Sequence, residues 1–148
     1  MADITSQCKI TVLSRTGADL TKIKEMALNL AKSKENLQKR DFLNDIRVGS
    51  EQRIKVLRGF RVTGKTTGLL QIMTNTEKSI YFSLDHPYIE PYGLYELGKQ
   101  LIVAGYSTLL VDEAQYYKDW KKDAKALYDE FPNATIILSG SAPLAFEP

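Results

Sequence analysis

Gly59-Phe60-Arg61-Val62-Thr63-Gly64-Lys65-Thr66 follows the pattern G-x-x-x-x-G-K-[ST], the phosphate-binding loop known as Walker A. Its physical logic is direct. The glycines let successive main-chain N–H groups turn toward a chain of phosphates. Lys65 has the reach to set an ammonium against β- and γ-phosphates, and the Thr66 hydroxyl is a ligand for Mg2+. With Thr67 added, this span is the candidate nucleotide-binding set. Its flanks supply the context the pattern requires. Ile54-Lys55-Val56-Leu57-Arg58 reads as a short strand. Thr66 to Thr74 reads as a helix, with Leu69, Leu70, Ile72 and Met73 as its apolar residues.

Downstream, strand and helix alternate. Ser79 to Leu84 is a β-rich run ending at Asp85, and Leu94, Leu97, Leu101 and Ile102 mark a helix that stops near Gly105. Thr108-Leu109-Leu110-Val111 is a continuous apolar strand. Trp120, Ala124, Leu127, Tyr128 and Phe131 mark another helix, ended by Pro132-Asn133. Thr135-Ile136-Ile137-Leu138 is again continuously apolar. Uninterrupted apolar strands separated by helices indicate a parallel sheet covered on both faces. The predicted fold is therefore α/β, a three-layer P-loop NTPase sheet. Upstream, Leu20, Ile23, Met26 or Ala27, and Leu30 recur at helical spacing, and Phe42, Leu43 and Ile46 continue the stripe toward Gly49. Residues 1–49 thus read as an N-terminal helical extension to a core over 50–148. Ile10, Val12 and Leu13 suggest one further short strand.

A second constellation completes a site. Leu109-Leu110-Val111-Asp112-Glu113 is an apolar strand ending in two acids, a Walker B pattern. In doubly wound sheets ligands sit at the carboxyl ends of the strands, and both the loop and this acid pair leave strands there. Asp112 complements Thr66 at a metal ion, and Glu113 is the candidate to orient or polarise the attacking water. Ser139-Gly140-Ser141 follows the last strand, where Ser139 or Ser141 can contact a γ-phosphate or the attacking water. The candidate catalytic residues are therefore Glu113, Lys65, Ser139 and Ser141, and the candidate metal ligands are Thr66 and Asp112.

These runs resemble a large group of prokaryotic AAA-type ATPases. Leu57 to Thr67 is similar to that group's G-P-R-x-x-G-K-T-T loop. Val111-Asp112-Glu113-Ala114-Gln115 followed by Asp119-Trp120 is similar to its L-D-E-I-Q … W segment, and Ile136 to Ser141 to its sensor strand end. Ile80 to Asp85 resembles its second strand. The resemblance covers about residues 50 to 146. It implies a RecA/AAA-like core with an extra strand between the Walker A and Walker B strands, ATP and Mg2+ as ligands, and Glu113 as catalytic base. Arg61 matches the group's loop arginine. Two departures stand out: Phe60 replaces a proline, and Lys55 interrupts the first core strand. The sequence also stops at Pro148, where the group continues with a fifth strand and a helical lid, so the sheet is expected to be incomplete. A transition-state arginine is worth about 10³ to 10⁵ in rate, and none can be assigned, so slow turnover is expected.

Composition narrows the alternatives. A formal charge of +2 on 148 residues gives no electrostatic case for nucleic acid or membrane. The lysines at 118, 121, 122 and 125 are diluted by Asp119 and Asp123 and read as a solvated helix face. Cys8 is the one cysteine, so no internal disulfide can form, which suits the cytoplasm. Neither a secretory signal nor a membrane-length apolar run is legible. His86 reads as a turn residue, and Tyr116, Tyr117 and Trp120 as packing beside the acid pair. The first functional reading is Mg-dependent hydrolysis of ATP to ADP and phosphate, coupled to a protein partner or a second copy of the chain. A nucleotide-binding interaction module without significant turnover fits the same residues. A small phosphotransferase is less favoured, because an acid pair suits water activation.

Overall fold

The computed structural model describes residues 17–33, 53–56 and 62–140, excepting the side chains of 62–64. Helix α1 (Leu20–Ser33) comes first, then strand β1 (Ile54–Val56) and helix α2 (Val62–Asn75). Strand β2 (Ser79–Ser83), helix α3 (Gly93–Val103) and strand β3 (Thr108–Asp112) follow. A 3₁₀ turn (Ala114–Tyr116), helix α4 (Trp120–Glu130) and strand β4 (Thr135–Leu138) complete the described order.

The four strands form one parallel sheet in the order β1-β4-β3-β2. The expected extra strand is β4. It pairs with β1 through Ile54↔Ile136 and with β3 through Leu109↔Ile136. This order dictates the layers. The connection from β1 to β2 runs one way across the sheet, and those from β2 to β3 and β3 to β4 run back. Right-handed crossovers then put α2 on one face and α3 and α4 on the other. The packing agrees: α2 lies on β2 and β3, α3 packs against α4, and α4 against β4. Helix α1 joins the α2 layer, touching β2 and α2 and burying Ile23 and Ala27.

Because both faces are covered, the central strands carry apolar residues without alternation. Leu109, Leu110 and Val111 have no exposed surface, and neither have Ile137 and Leu138. On α3, Gly98 allows closeness: a Cβ there would lie 2.7 Å from Leu127 Cδ1 and 3.1 Å from Leu109 Cδ1. A turn holds β2 and β3 in register at their start, where Ser107 and Thr108 both donate to the Lys78 carbonyl at 2.8 and 3.2 Å.

Several sequence expectations are adjusted. Helix α2 starts at Val62 rather than Thr66, so Gly64 and Lys65 fall in its first turn, where main-chain N–H groups have no partner within the helix. Tyr128 stays outside the apolar core, its ring under Arg53, whose guanidinium carbon is 3.8 Å from the ring centre. Arg53 also donates to the Phe131 and Tyr128 carbonyls at 3.0 and 3.1 Å, so a cation rather than apolar packing covers that end of α4. The strand expected at Ile10–Leu13 and the helical stripe at Phe42–Ile46 lie outside the described residues, as do Leu57, Arg58 and Cys8.

Candidate functional site

Three chain segments meet at the carboxyl ends of β3 and β4. The first is the start of α2. The second is the end of β3, where Asp112 and Glu113 are 2 % and 9 % exposed. The third is Ser139-Gly140, leaving β4. They lie between strands whose outgoing helices go to opposite faces, which is where a crevice opens in such sheets.

Asp112 is the hub. Its Oδ2 accepts the Thr66 hydroxyl at 2.5 Å and the Tyr81 hydroxyl at 2.7 Å. Its Oδ1 accepts the Ser139 hydroxyl at 2.9 Å and the Glu113 main-chain N–H at 3.0 Å. Four donors on one buried carboxylate fix its position. Helix α2, strands β2 and β3 and the segment leaving β4 are thereby tied at one side chain. The Tyr81 hydroxyl is pushed well above the ordinary tyrosine range, first by burial and then by the Asp112 charge. It therefore stays protonated and acts as a donor.

Lys65 is 6 % exposed, and its ammonium donates to the Gly140 carbonyl. The lysine of the G-K-T segment and the Ser-Gly turn after β4 are thus direct neighbours. Glu113 leaves the strand in the left-handed region, at φ 53° and ψ 42°. That conformation costs a non-glycine residue about 1 kcal/mol. Main-chain bonds hold it there: Ala114 N–H donates to the Ser139 carbonyl at 3.0 Å, and Ser139 N–H to that of Val111 at 2.9 Å. The Glu113 carboxylate accepts the Gln115 amide at 2.7 Å.

Of the predicted site residues, Lys65, Thr66, Asp112, Glu113 and Ser139 come together here. Thr67 is buried at 1 % one residue along α2. Val62, Thr63 and Gly64 are described as helix backbone only, and Gly59, Phe60, Arg61 and Ser141 lie outside the described residues. Two participants were missed. Tyr81 reads from the sequence only as a strand residue, between Ile80 and Phe82 in a β-rich run. Gln115 was read only as part of a motif.

The surroundings sort themselves by contact. Trp120 is 7 % exposed and packs into the core, while Tyr116 is 65 % exposed. Tyr117 lies against the Gly93 backbone and bonds Asp123, and burial followed by that bond pushes its hydroxyl up to about 12. His86 Nδ1 accepts the Tyr88 N–H at 3.0 Å, as a turn residue does. It also lines a mainly apolar groove of about 470 Å³ between α1 and β2, with Ile23, Met26, Leu30 and Phe82. Tyr81, whose hydroxyl bonds Asp112, and Ser83, which pairs with Asp112 in the ladder, also line that groove.

The family model for the AAA domain matches residues 51–147. The chain belongs to the AAA-domain family. No match was found among curated proteins or among solved structures. The four-stranded parallel α/β sheet is consistent with this membership, which gives the domain an ATP-binding, P-loop ATPase-like nature. No helix among the described residues is long and apolar enough to cross a membrane.

The donor chemistry of the cluster suits Mg2+. Thr66 and Asp112 bring a hydroxyl and a carboxylate oxygen side by side, and hard oxygen donors are what this ion takes, usually few from protein and the rest from water and phosphate.

Proposed function

We propose that this AAA domain binds ATP with Mg2+ and hydrolyses it to ADP and phosphate. The observation carrying the reading is the 2.5 Å bond between Thr66 Oγ1 and Asp112 Oδ2, which joins the G-K-T segment to the acid end of β3. Lys65, buried beside it, exchanges the Gly140 carbonyl for phosphate oxygens when nucleotide enters. The main-chain N–H groups of the loop from Gly59 through Thr67 cradle the phosphates. Thr66 and Asp112 are the residues that would hold Mg2+, which supplies neutralisation of the phosphate charge when bound. Glu113 accepts a proton from the attacking water as the water oxygen bonds to the γ-phosphorus. The bond from that phosphorus to the β–γ bridging oxygen breaks, and its electron pair leaves with ADP. Ser139, with Ser141 beyond it, reports the γ-phosphate to Asp112 through the 2.9 Å bond.

One contact favours a second reading. The bond from Gln115 occupies the Glu113 carboxylate, as expected of a domain that holds ATP and presents a partner surface without turning it over. Steady-state phosphate release separates the two. Hydrolysis lost in Glu113→Gln with ATP affinity kept supports the ATPase; tight Mg–ATP binding with no release from wild type supports the module. The same reading takes residues 1–49 as an extension of the core, a protein partner or second copy as the recipient of the nucleotide signal, and the cytoplasm as the setting. The start of the family match at residue 51 supports the first of these.

A further inference from the structure

Tyr81 is the one aromatic hydroxyl among the described residues that bonds the acid pair at the end of β3. It sits on β2 opposite Leu110 in the ladder, two positions before the Ser83↔Asp112 pair. Its ring is 6 % exposed, and its hydroxyl reaches past the strand end to Asp112 Oδ2 at 2.7 Å. That is the same oxygen that accepts Thr66 at 2.5 Å. A carboxylate oxygen with two hydroxyl donors has one direction fixed by each. The other oxygen is occupied by Ser139 and by the Glu113 N–H, so the carboxylate cannot rotate without breaking bonds at both ends.

We propose that Tyr81 is a positioning residue for the metal, its hydroxyl holding Asp112 Oδ2 toward Thr66 so that both oxygens face a Mg2+ bound with nucleotide. The inference rests on the reading of Thr66 and Asp112 as metal ligands. Tyr81 itself touches neither metal nor phosphate; it acts through Asp112. The arrangement explains why a phenol stands between Ile80 and Phe82 in β2. A hydroxyl on a long rigid ring, anchored between α1 and the sheet, reaches the acid from an adjacent strand with little conformational freedom to lose. Outer partners that orient a metal ligand typically contribute about tenfold to a hundredfold in metal affinity.

The test is Tyr81→Phe, which removes one oxygen and keeps the ring. Binding of a fluorescent ATP analogue is titrated in EDTA and then against free Mg2+, beside wild type and Asp112→Asn. The expected result has three parts: nucleotide affinity in EDTA equal to wild type, a half-saturating Mg2+ concentration raised about tenfold, and Asp112→Asn with little Mg2+ dependence left. A purely structural tyrosine would lower the melting temperature without moving the Mg2+ midpoint. A midpoint within twofold of wild type in folded Tyr81→Phe, with Asp112→Asn defective, overturns the role of Tyr81 and leaves the site reading standing. Wild type that binds ATP equally with and without Mg2+ overturns both. If Tyr81→Phe fails to fold, 3-fluorotyrosine placed at position 81 supplies the readout. Its ¹⁹F resonance should move with Mg2+ at saturating nucleotide, and an unmoved resonance overturns the proposal.

Discussion

Replacing Asp112 should have opposite-sized consequences depending on what replaces it. In Asp112→Asn the side chain keeps one oxygen. The Glu113 N–H can only donate, so that oxygen stays on the Glu113 and Ser139 side, and the new amide turns to Thr66 and Tyr81. Those two are hydroxyls and can rotate to accept. All four charge-assisted bonds become neutral ones, a loss of about 4 kcal/mol in total. Against this, a buried negative charge disappears, and its desolvation cost is of similar size. Asp112→Asn should therefore fall within about 1 kcal/mol of wild type. Asp112→Ala sheds the same charge but puts no hydrogen-bonding group in its place. Four donors lose their acceptor, and the Tyr81, Ser139 and Glu113 groups among them are buried. At about 1 to 3 kcal/mol for each buried orphan, reduced by relaxation and water entry, the loss should be about 3 to 5 kcal/mol. That is a large part of a domain's total stability of about 5 to 15 kcal/mol. Urea denaturation of the three proteins at one pH gives the comparison, with unchanged m-values as the check on two-state behaviour. Asp112→Ala as stable as Asp112→Asn would refute the description of this carboxylate as a four-fold acceptor.

Other consequences follow from single contacts. Gly93 stands at φ +73°, and a Cβ there would lie 2.8 Å from the Tyr117 hydroxyl oxygen. Gly93→Ala should lower stability by about 1 to 3 kcal/mol, and a melting temperature equal to wild type would contradict the described packing of Tyr117. The Lys55 stem is half-exposed, yet its Nζ is buried with no hydrogen-bond partner among the described residues, and desolvation lowers its pKa. Lys55→Met should raise the urea midpoint, because an orphaned cation is replaced by an apolar chain of similar length; a lowered midpoint would point to a partner for that amine. Tyr117 is raised from 10.0 to about 12 in the folded state. Its contribution is therefore fully present below pH 10 and is lost as pH rises through about 12. Wild type should lose stability over that alkaline window more steeply than Tyr117→Phe, and parallel curves would remove the hydroxyl from the account.

The fold was legible where burial on both faces leaves no choice of side chain. Strand β4 was read at its observed bounds, Thr135–Leu138, and β3 to within its terminal acid, because a covered parallel strand must be apolar throughout. The approach of Lys65, Thr66, Asp112, Glu113 and Ser139 was legible too, since G-K-T, D-E and the Ser-Gly turn each mark a strand or helix end at one edge. What escaped was anything set by geometry between strands. Nothing in a β-rich run says that Tyr81 turns its hydroxyl to Asp112, since that depends on register with β3. Nor does helical spacing say that Tyr128 faces Arg53 rather than the core; a cation that stacks on a ring gives the ring an alternative to burial. The early start of α2 was hidden because Gly64 counts as a helix breaker by propensity, although the first turn tolerates it.

The central claim is that Lys65 and the Thr66–Asp112 pair form one Mg–ATP site. Calorimetric titration with ATP, with and without Mg2+, on wild type and Lys65→Ala tests it most directly. The account predicts Mg2+-dependent binding by wild type and a loss of at least tenfold in affinity for Lys65→Ala, since a hydrogen bond to a charged group is worth about 1.5 to 3 kcal/mol. Equal affinity in the two proteins would contradict it.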